Sequence, residues 1–188
     1  MSETLPPAQS LGTGIQLYYA GRGYVLAGFL MALLFARSVS NAPLSFSWLW
    51  LIGAGATLRI WAGLYIGSHS NGIKMQAGPR ACNGPYRWVH HPLYLSNGMV
   101  SIGLIGFAHC LSLRTALGLA WVVLAHHGML IFWENRILQA SRESKQEWNS
   151  IPVWSWQILI ARQGRNLAYT FLSVILVVLV AGKSWHSP

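Results

Sequence analysis

Long apolar runs separated by short polar stretches are the dominant pattern of the 188-residue chain. A helix needs about 20 apolar residues to cross the roughly 30 Å hydrocarbon layer of a bilayer. Two of the runs are short for that length, and we expect the first to extend back through Ile15 to Gly21. The five runs are Gly23 to Ala36, Leu44 to Ile66, Leu93 to Cys110, Leu113 to Trp133 and Leu167 to Ala181. They predict an all-α, polytopic integral membrane protein with about five transmembrane helices.

Tight turns are expected at two of the connections. Asn41-Ala42-Pro43 separates the first two runs, and Ser112 lies between the third and the fourth. These pairs should form antiparallel hairpins. We predict a single transmembrane domain over residues 1–188, in which Gly53, Gly55 and Ala56 allow close helix packing.

Composition excludes the main alternatives to a membrane protein. Apolar residues make up 53% of the chain and charged residues only 9%, whereas a soluble domain carries about a quarter charged residues. The net charge of +9 could indicate a nucleic-acid partner, but most cations fall in two inter-helix stretches, as in membrane proteins. Cys82 and Cys110 form neither a disulfide framework nor a four-ligand zinc set. We therefore expect no nucleic acid, no metal and no obligate protein partner.

The distribution of cations predicts the orientation. Five spans place the N-terminus and the two long connections on one side of the membrane. Nine cations lie on that side and three on the other, so the long connections should face the cytoplasm. The nine are Arg22, Lys74, Arg80, Arg87, Arg136, Arg142, Lys145, Arg162 and Arg165, and the three are Arg37, Arg114 and Lys183.

Several ionisable residues fall well inside predicted spans. Arg59, His126 and His127 each lie about seven residues from the cytoplasmic end of a span, which is roughly 10 Å deep. Ionisable groups at such depth usually face a water-filled or ligand-filled interior, so a shared cavity is expected. The alternative is an arginine that snorkels to the headgroups and histidines bonded to a neighbouring helix. Adjacent helical residues point about 100° apart, so only one histidine can face the cavity squarely.

The connection before the third span carries a second group of polar residues. Pro92 is suited to the first turn of a helix and restricts His91 to a non-helical conformation. Free N–H groups at the helix start attract a carboxylate, and neighbouring aromatic residues could form a wall. Glu134, directly after the fourth span, could pair with Arg136 or hold a cationic ligand. The alternative for the whole connection is an aromatic belt with interfacial histidines.

The run Gly84 to Asn97, GPYRWVHHPLYLSN, resembles the signature of the isoprenylcysteine carboxyl methyltransferase and phospholipid methyltransferase family of membrane proteins. An acidic position that opens an amphipathic stretch, here 134–152, follows the next hairpin in that family. The resemblance covers about Asn71 to Trp154. It departs from the family pattern at His90, where the family has arginine, and at Ser96, where it has glycine.

This resemblance implies transfer of a methyl group from S-adenosylmethionine to a lipid or other hydrophobic acceptor, with the active site facing the cytoplasm. Transferred to this sequence, the cofactor-binding residues are Tyr86, Arg87, His91, Pro92, Tyr94, Leu95 and Glu134. Candidate catalytic residues are His91, His90 and Arg59. Arg59, His126 and His127 are candidates for acceptor binding. A phenol or amine acceptor would need a base, for which His91, His90 or His126 could serve.

Two other classes of function are compatible with the pattern. An intramembrane reductase that uses a nicotinamide cofactor would share a similar C-terminal architecture. A non-enzymatic haem or ligand carrier would use His126 or His127 with a histidine of another span. Acceptor identity and the choice among O-, N- and S-methylation stay open at this level.

Overall fold

The computed structural model describes residues 13–66, 80–140, 147–148 and 156–183. Five α-helices account for most of this part of the chain, which confirms the all-α prediction. The helices are α1 (Thr13–Ser38), α2 (Leu49–Ile66), α3 (Pro92–Ala108), α4 (Leu113–Ala140) and α5 (Trp156–Lys183). Two 3-10 helices, Phe46–Trp48 and Gly84–Arg87, precede α2 and α3.

Two very short strands also join distant parts of the chain. β1 (Arg80–Ala81) and β2 (Glu147–Trp148) pair in parallel, with Arg80 opposite Glu147. This bridge connects the stretch that leads into the second 3-10 helix with the stretch that follows α4. The rest of the predicted amphipathic segment 134–152 divides into the end of α4, up to Ala140, and residues outside the described part.

Among the described residues, three helices are long and apolar enough to cross a membrane. They are Phe46–Ile66, Leu113–Arg136 and Gln163–Gly182. The helical segments Tyr24–Ser38 and Pro92–Ala108 are apolar but shorter. Length and composition therefore identify a membrane protein. The predicted extension of the first helix towards the N-terminus is confirmed, since α1 begins at Thr13.

Two helix boundaries differ from the sequence prediction. α3 ends at Ala108 instead of Cys110, because His109 adopts the left-handed conformation (φ 43°, ψ 36°) and its N–H donates to the Ile105 carbonyl. α4 continues to Ala140 instead of ending at Trp133. Glu134 therefore lies within the last turns of a helix, and the prediction that it follows the span was wrong. The charged residues there did not end the helix because glutamate and arginine are good helix formers.

Close contact between α2 and α3 depends on glycine. A Cβ atom on Gly55 would lie 2.9 Å from the Ser96 carbonyl oxygen, and one on Gly103 would lie 2.6 Å from the Ile52 side chain. Small residues allow two backbones to approach in a membrane, where packing replaces the hydrophobic effect as the main attraction between helices. The packing prediction is confirmed for Gly55, whereas Gly53 faces open space.

The apolar core lies towards the C-terminal end of α3. Its buried side chains come from α1, α2, α3, α4 and α5, and include Phe29, Leu33, Ile52, Leu104, Phe107, Val123 and Val177. The chain directions place the start of α3 at the opposite end, beside the C-terminal halves of α2 and α4. Polar side chains of these three helices therefore meet at that end.

Candidate functional site

The turn before α3 fixes the direction in which His91 leaves the backbone. Gly84 has a φ of 62°, and a Cβ atom at this position would lie 2.6 Å from the Tyr65 ring. The Val89 N–H then donates to the Pro85 carbonyl at 2.9 Å. Pro92 begins α3, and His91 precedes it with φ −130° and ψ 64°. The predictions for Pro92 and for the non-helical His91 are confirmed.

His91 is held by two residues of α4. Its Nε2 lies 2.9 Å from Asn135 Oδ1, and because an amide oxygen only accepts, Nε2–H is the donor. Its Nδ1 lies 3.6 Å from Glu134 Oε2. The second contact is an ion pair only when the imidazole is protonated. The start of α3 is thus joined to the last turns of α4 by a histidine and an acid–amide pair.

Two buried oxygen atoms near the start of α3 lack a hydrogen-bond partner among the described residues. They are Tyr86 Oη and Glu134 Oε2. Burial and the nearby Glu134 carboxylate raise the pKa of Tyr86, and the Arg59 guanidinium offsets this only in part. Tyr86 is therefore a neutral phenol, a hydrogen-bond donor without an acceptor. A buried polar group without a partner costs about 1 to 3 kcal/mol of folding free energy.

Arg59 faces α3 from α2. Its Nη1 donates a hydrogen bond to Asn97 Oδ1. The guanidinium charge also opposes the rise in the pKa of Tyr86 that burial and Glu134 cause. Arg59 is therefore engaged between helices, in line with the prediction that it faces the protein interior.

The two adjacent histidines of α4 contact different neighbours. His127 donates from Nδ1 to the Val123 carbonyl at 2.8 Å, and its ring meets the Tyr94 ring edge-on at a centroid distance of 6.0 Å. His126 Nδ1 lies 2.5 Å from the Tyr18 hydroxyl of α1. Both histidines are buried. Through its contact with Tyr94, His127 joins the polar residues at the start of α3.

Tyr94 links the two histidine environments. Its ring lies 5.9 Å from the His91 ring and 6.0 Å from the His127 ring, measured between centroids. We call the complete set the α3-start cluster. It consists of Arg59, Tyr86, His91, Tyr94, Asn97, His127, Glu134 and Asn135.

Several sequence-predicted site residues do not join this cluster. Arg87, His90 and Leu95 are exposed, whereas Pro92 is buried at the start of α3. The tight turn over Pro85 to Val89 directs Arg87 away from the buried Tyr86, and Leu95 lies about 100° around the helix from Tyr94. His126 is buried but bonded to α1.

Three residues of the site region were not singled out in the sequence. Asn97 follows Tyr94 by three positions, a spacing that puts both on one face of a helix, so it could have been found. Asn135 becomes relevant only once α4 is known to continue past Trp133. Tyr18 carries no sequence signal, because its contact with His126 depends on how α1 and α4 are rotated.

The chemical content of the cluster is mixed. It offers a carboxylate, a guanidinium, two imidazoles and a phenol, together with aromatic faces, in one partly buried volume. Such a set can bind a molecule that carries both positive and negative groups. Within the described part of the chain, no three His, Cys, Asp or Glu residues are grouped to hold a metal ion.

Comparisons with protein-family models, with curated proteins and with solved structures each find no match to this chain.

Proposed function

We propose that this protein transfers a methyl group from S-adenosylmethionine to a lipid-like or other hydrophobic acceptor. The resemblance of Gly84 to Asn97 to a membrane methyltransferase signature suggested this function. The contacts of the α3-start cluster support it, because they unite the resembling run with Glu134, which lies far along the chain.

The observation that carries the proposal is a pair of buried oxygens, Tyr86 Oη and Glu134 Oε2, that have no hydrogen-bond partner among the described residues, with only His91 Nδ1 near Glu134 Oε2 at 3.6 Å. The Glu134 carboxylate fits an ammonium group, since a carboxylate accepts from N–H donors and an aromatic face nearby attracts a cation, whereas the neutral Tyr86 hydroxyl fits an acceptor atom of the same ligand. Glu134 would hold the ammonium group of the cofactor, and Tyr94 would contribute the aromatic face. When bound, S-adenosylmethionine supplies an electrophilic methyl group on a sulfonium.

The protein's own contribution is alignment and exclusion of water. Positioning of two reactants can lower a barrier by roughly 7 to 11 kcal/mol. Arg59, oriented by Asn97, suits a carboxylate of the cofactor or an anionic head of the acceptor. The hydrogen bond between His91 and Asn135 fixes the start of α3 against α4, so the residues that these two helices contribute to the site keep their relative positions.

We further propose a multi-pass arrangement in which the α3-start cluster faces the cytoplasm. Nine cations against three support this orientation. Two thiols offer a test, because Cys82 lies before the turn and Cys110 lies beyond the opposite end of α3. A membrane-impermeant maleimide should label Cys110 and spare Cys82 in intact spheroplasts, with Cys82→Ser and Cys110→Ser as controls. The reverse pattern would invert the proposed orientation.

Ligand binding tests the proposed site directly. S-adenosylhomocysteine is titrated calorimetrically into the protein in nanodiscs. We expect His91→Ala, Tyr94→Ala and Glu134→Gln each to weaken binding about tenfold or more, with Glu134→Gln the most affected because a charged contact is worth about 2 to 5 kcal/mol. His109→Asn, at the other end of α3, is the matched control and should bind normally.

Two results would contradict the proposal. If wild-type protein does not bind S-adenosylhomocysteine, the proposed cofactor is wrong. If all three variants bind it as wild type does, the proposed binding site is wrong. Transfer of labelled methyl groups into a total lipid extract then tests the acceptor class. Binding without labelled lipid would leave the cofactor site in place and exclude the lipid acceptors of that extract.

A further inference from the structure

His127 differs from the other histidines of the region in how its protons are fixed. Its Nδ1 lies 2.8 Å from the Val123 carbonyl oxygen. A carbonyl only accepts hydrogen bonds, so Nδ1 must carry the proton. In the neutral ring the second nitrogen, Nε2, then holds a lone pair. One backbone contact thus sets both the tautomer and the orientation of the imidazole.

The contacts described above for His126 and His91 are with side chains. The partner of His126 is the Tyr18 hydroxyl, which can donate or accept, so either tautomer satisfies that contact. His91 uses Nε2 to donate to Asn135, and its Nδ1 faces the Glu134 carboxylate. His90 is exposed. At His127 the Val123 carbonyl itself keeps Nε2 as a proton acceptor in the neutral ring.

The surroundings of His127 are those of the proposed site. Its side chain is 5% exposed and its ring packs edge-on against Tyr94. The ring of His126 is also adjacent, at a centroid distance of 5.4 Å. A base buried among these groups is shielded from bulk water, which would otherwise exchange protons with it.

We propose that His127 Nε2 is the general base for a protic acceptor, of the phenol or alcohol class. This inference rests on the proposed methyltransferase function. Nε2 takes the acceptor's O–H proton as the oxygen bonds to the methyl carbon. The carbon–sulfur bond breaks and its electron pair stays on sulfur. The products are the methyl ether, neutral S-adenosylhomocysteine and an imidazolium, which releases its proton to water when the product leaves.

The variant His127→Asn tests the proposed base while keeping a hydrogen-bond donor at the same position. The side-chain amide of asparagine can replace Nδ1–H as the donor to Val123 but has no basic nitrogen. The same substitution at the exposed His109 is the control, since asparagine tolerates the left-handed conformation found there. The acceptor probe is 4-dodecylphenol in nanodiscs, with dodecanoic acid as the comparison, because a carboxylate needs no base.

Methyl transfer to the phenol should fall about 100-fold or more in His127→Asn, because general-base catalysis contributes roughly 100- to 10,000-fold. Binding of S-adenosylhomocysteine should fall far less than the transfer rate, and the thermal unfolding midpoint should stay near wild type. A variant that retains at least a third of the phenol rate would overturn the inference. So would wild-type protein that methylates dodecanoic acid but not the phenol.

A second measurement does not depend on activity. In protein labelled with ¹⁵N-histidine, the His127 resonances, assigned by their loss in His127→Asn, distinguish the protonated from the unprotonated ring nitrogen. We expect the Nδ1–H tautomer. The Nε2–H tautomer would overturn the inference even if the protein binds S-adenosylhomocysteine, whereas failure of wild-type binding would instead count against the proposed function.

Discussion

The two ends of α3 use polar side chains for different purposes. At the C-terminal end the fully buried Arg37 donates from Nη1 to the carbonyls of Ala42 and Ala108, at 2.5 and 3.4 Å. The Ser45 N–H donates to the Phe107 carbonyl at 3.0 Å. Both residues satisfy carbonyl groups at the end of a helix, which is a structural role.

At the N-terminal end, side chains of the α3-start cluster mainly face one another. His91 contacts the Glu134 carboxylate and the Asn135 amide, and Arg59 contacts the Asn97 amide. The Tyr86 hydroxyl, a donor, and Glu134 Oε2, an acceptor, have no hydrogen-bond partner in the described part of the chain. Arg37 also has unpartnered nitrogens, but it stands among backbone carbonyls. The comparison teaches that the charge at one end supports the fold, whereas the variety of groups at the other end is suited to a ligand.

The largest effect on stability is expected from the apolar end. Phe107 is fully buried, and Phe107→Ala should lower the free energy of unfolding by about 3 kcal/mol because it leaves a cavity in the core. Denaturation in mixed micelles measures this change. The folded fraction should bind S-adenosylhomocysteine as wild type does. A large loss of affinity in that fraction would show that the two ends are not separate in function.

A substitution at the polar end should change stability in the opposite direction. Tyr86→Phe removes a buried hydroxyl that has no partner in the described residues, so it should raise the free energy of unfolding by about 1 kcal/mol. Binding of S-adenosylhomocysteine should weaken if the hydroxyl serves the ligand. If Tyr86→Phe is less stable than wild type and binds S-adenosylhomocysteine equally well, the Tyr86 hydroxyl supports the fold and does not serve a ligand.

The same variant gives a pH dependence with a defined sign. The pKa of Tyr86 in the folded protein is raised above the usual value of about 10. As pH rises past 10, the unfolded chain loses the phenol proton before the folded chain does, which favours unfolding. The stability advantage of Tyr86→Phe over wild type should therefore grow above pH 10. An advantage that shrinks there would contradict the raised pKa.

The smallest effect is expected where α1 meets α4. Tyr18→Phe removes the hydroxyl bonded to His126 and should cost about 1 kcal/mol of stability or less, because most single hydrogen bonds contribute about that much. Ligand affinity should not change, since neither residue belongs to the α3-start cluster. Weaker binding of S-adenosylhomocysteine by Tyr18→Phe would show that α1 also contributes to the proposed binding site.

The sequence predicted the helices and part of the site for clear physical reasons. Pro92 starts α3 because its missing N–H and fixed φ suit the first turn of a helix. The shared depth of Arg59 and His127 followed from counting residues along two helices. Such arguments need only the rise per residue and local backbone chemistry.

Contacts between helices were harder to predict. In a membrane the outer faces of helices are as apolar as the buried ones, so the sequence does not show how each helix is rotated about its axis. The Tyr18–His126 contact depends on that rotation. The exposure of Arg87 and His90 depends on the tight turn before α3, which their position between two buried prolines did not reveal.

The short β1–β2 pairing has a mechanical consequence for the polar end. It ties the backbone just ahead of Tyr86 to the backbone that follows α4, the helix of Glu134. These two walls cannot separate without breaking the ladder between them. The segment before Tyr86 and the segment after α4 are therefore expected to move together.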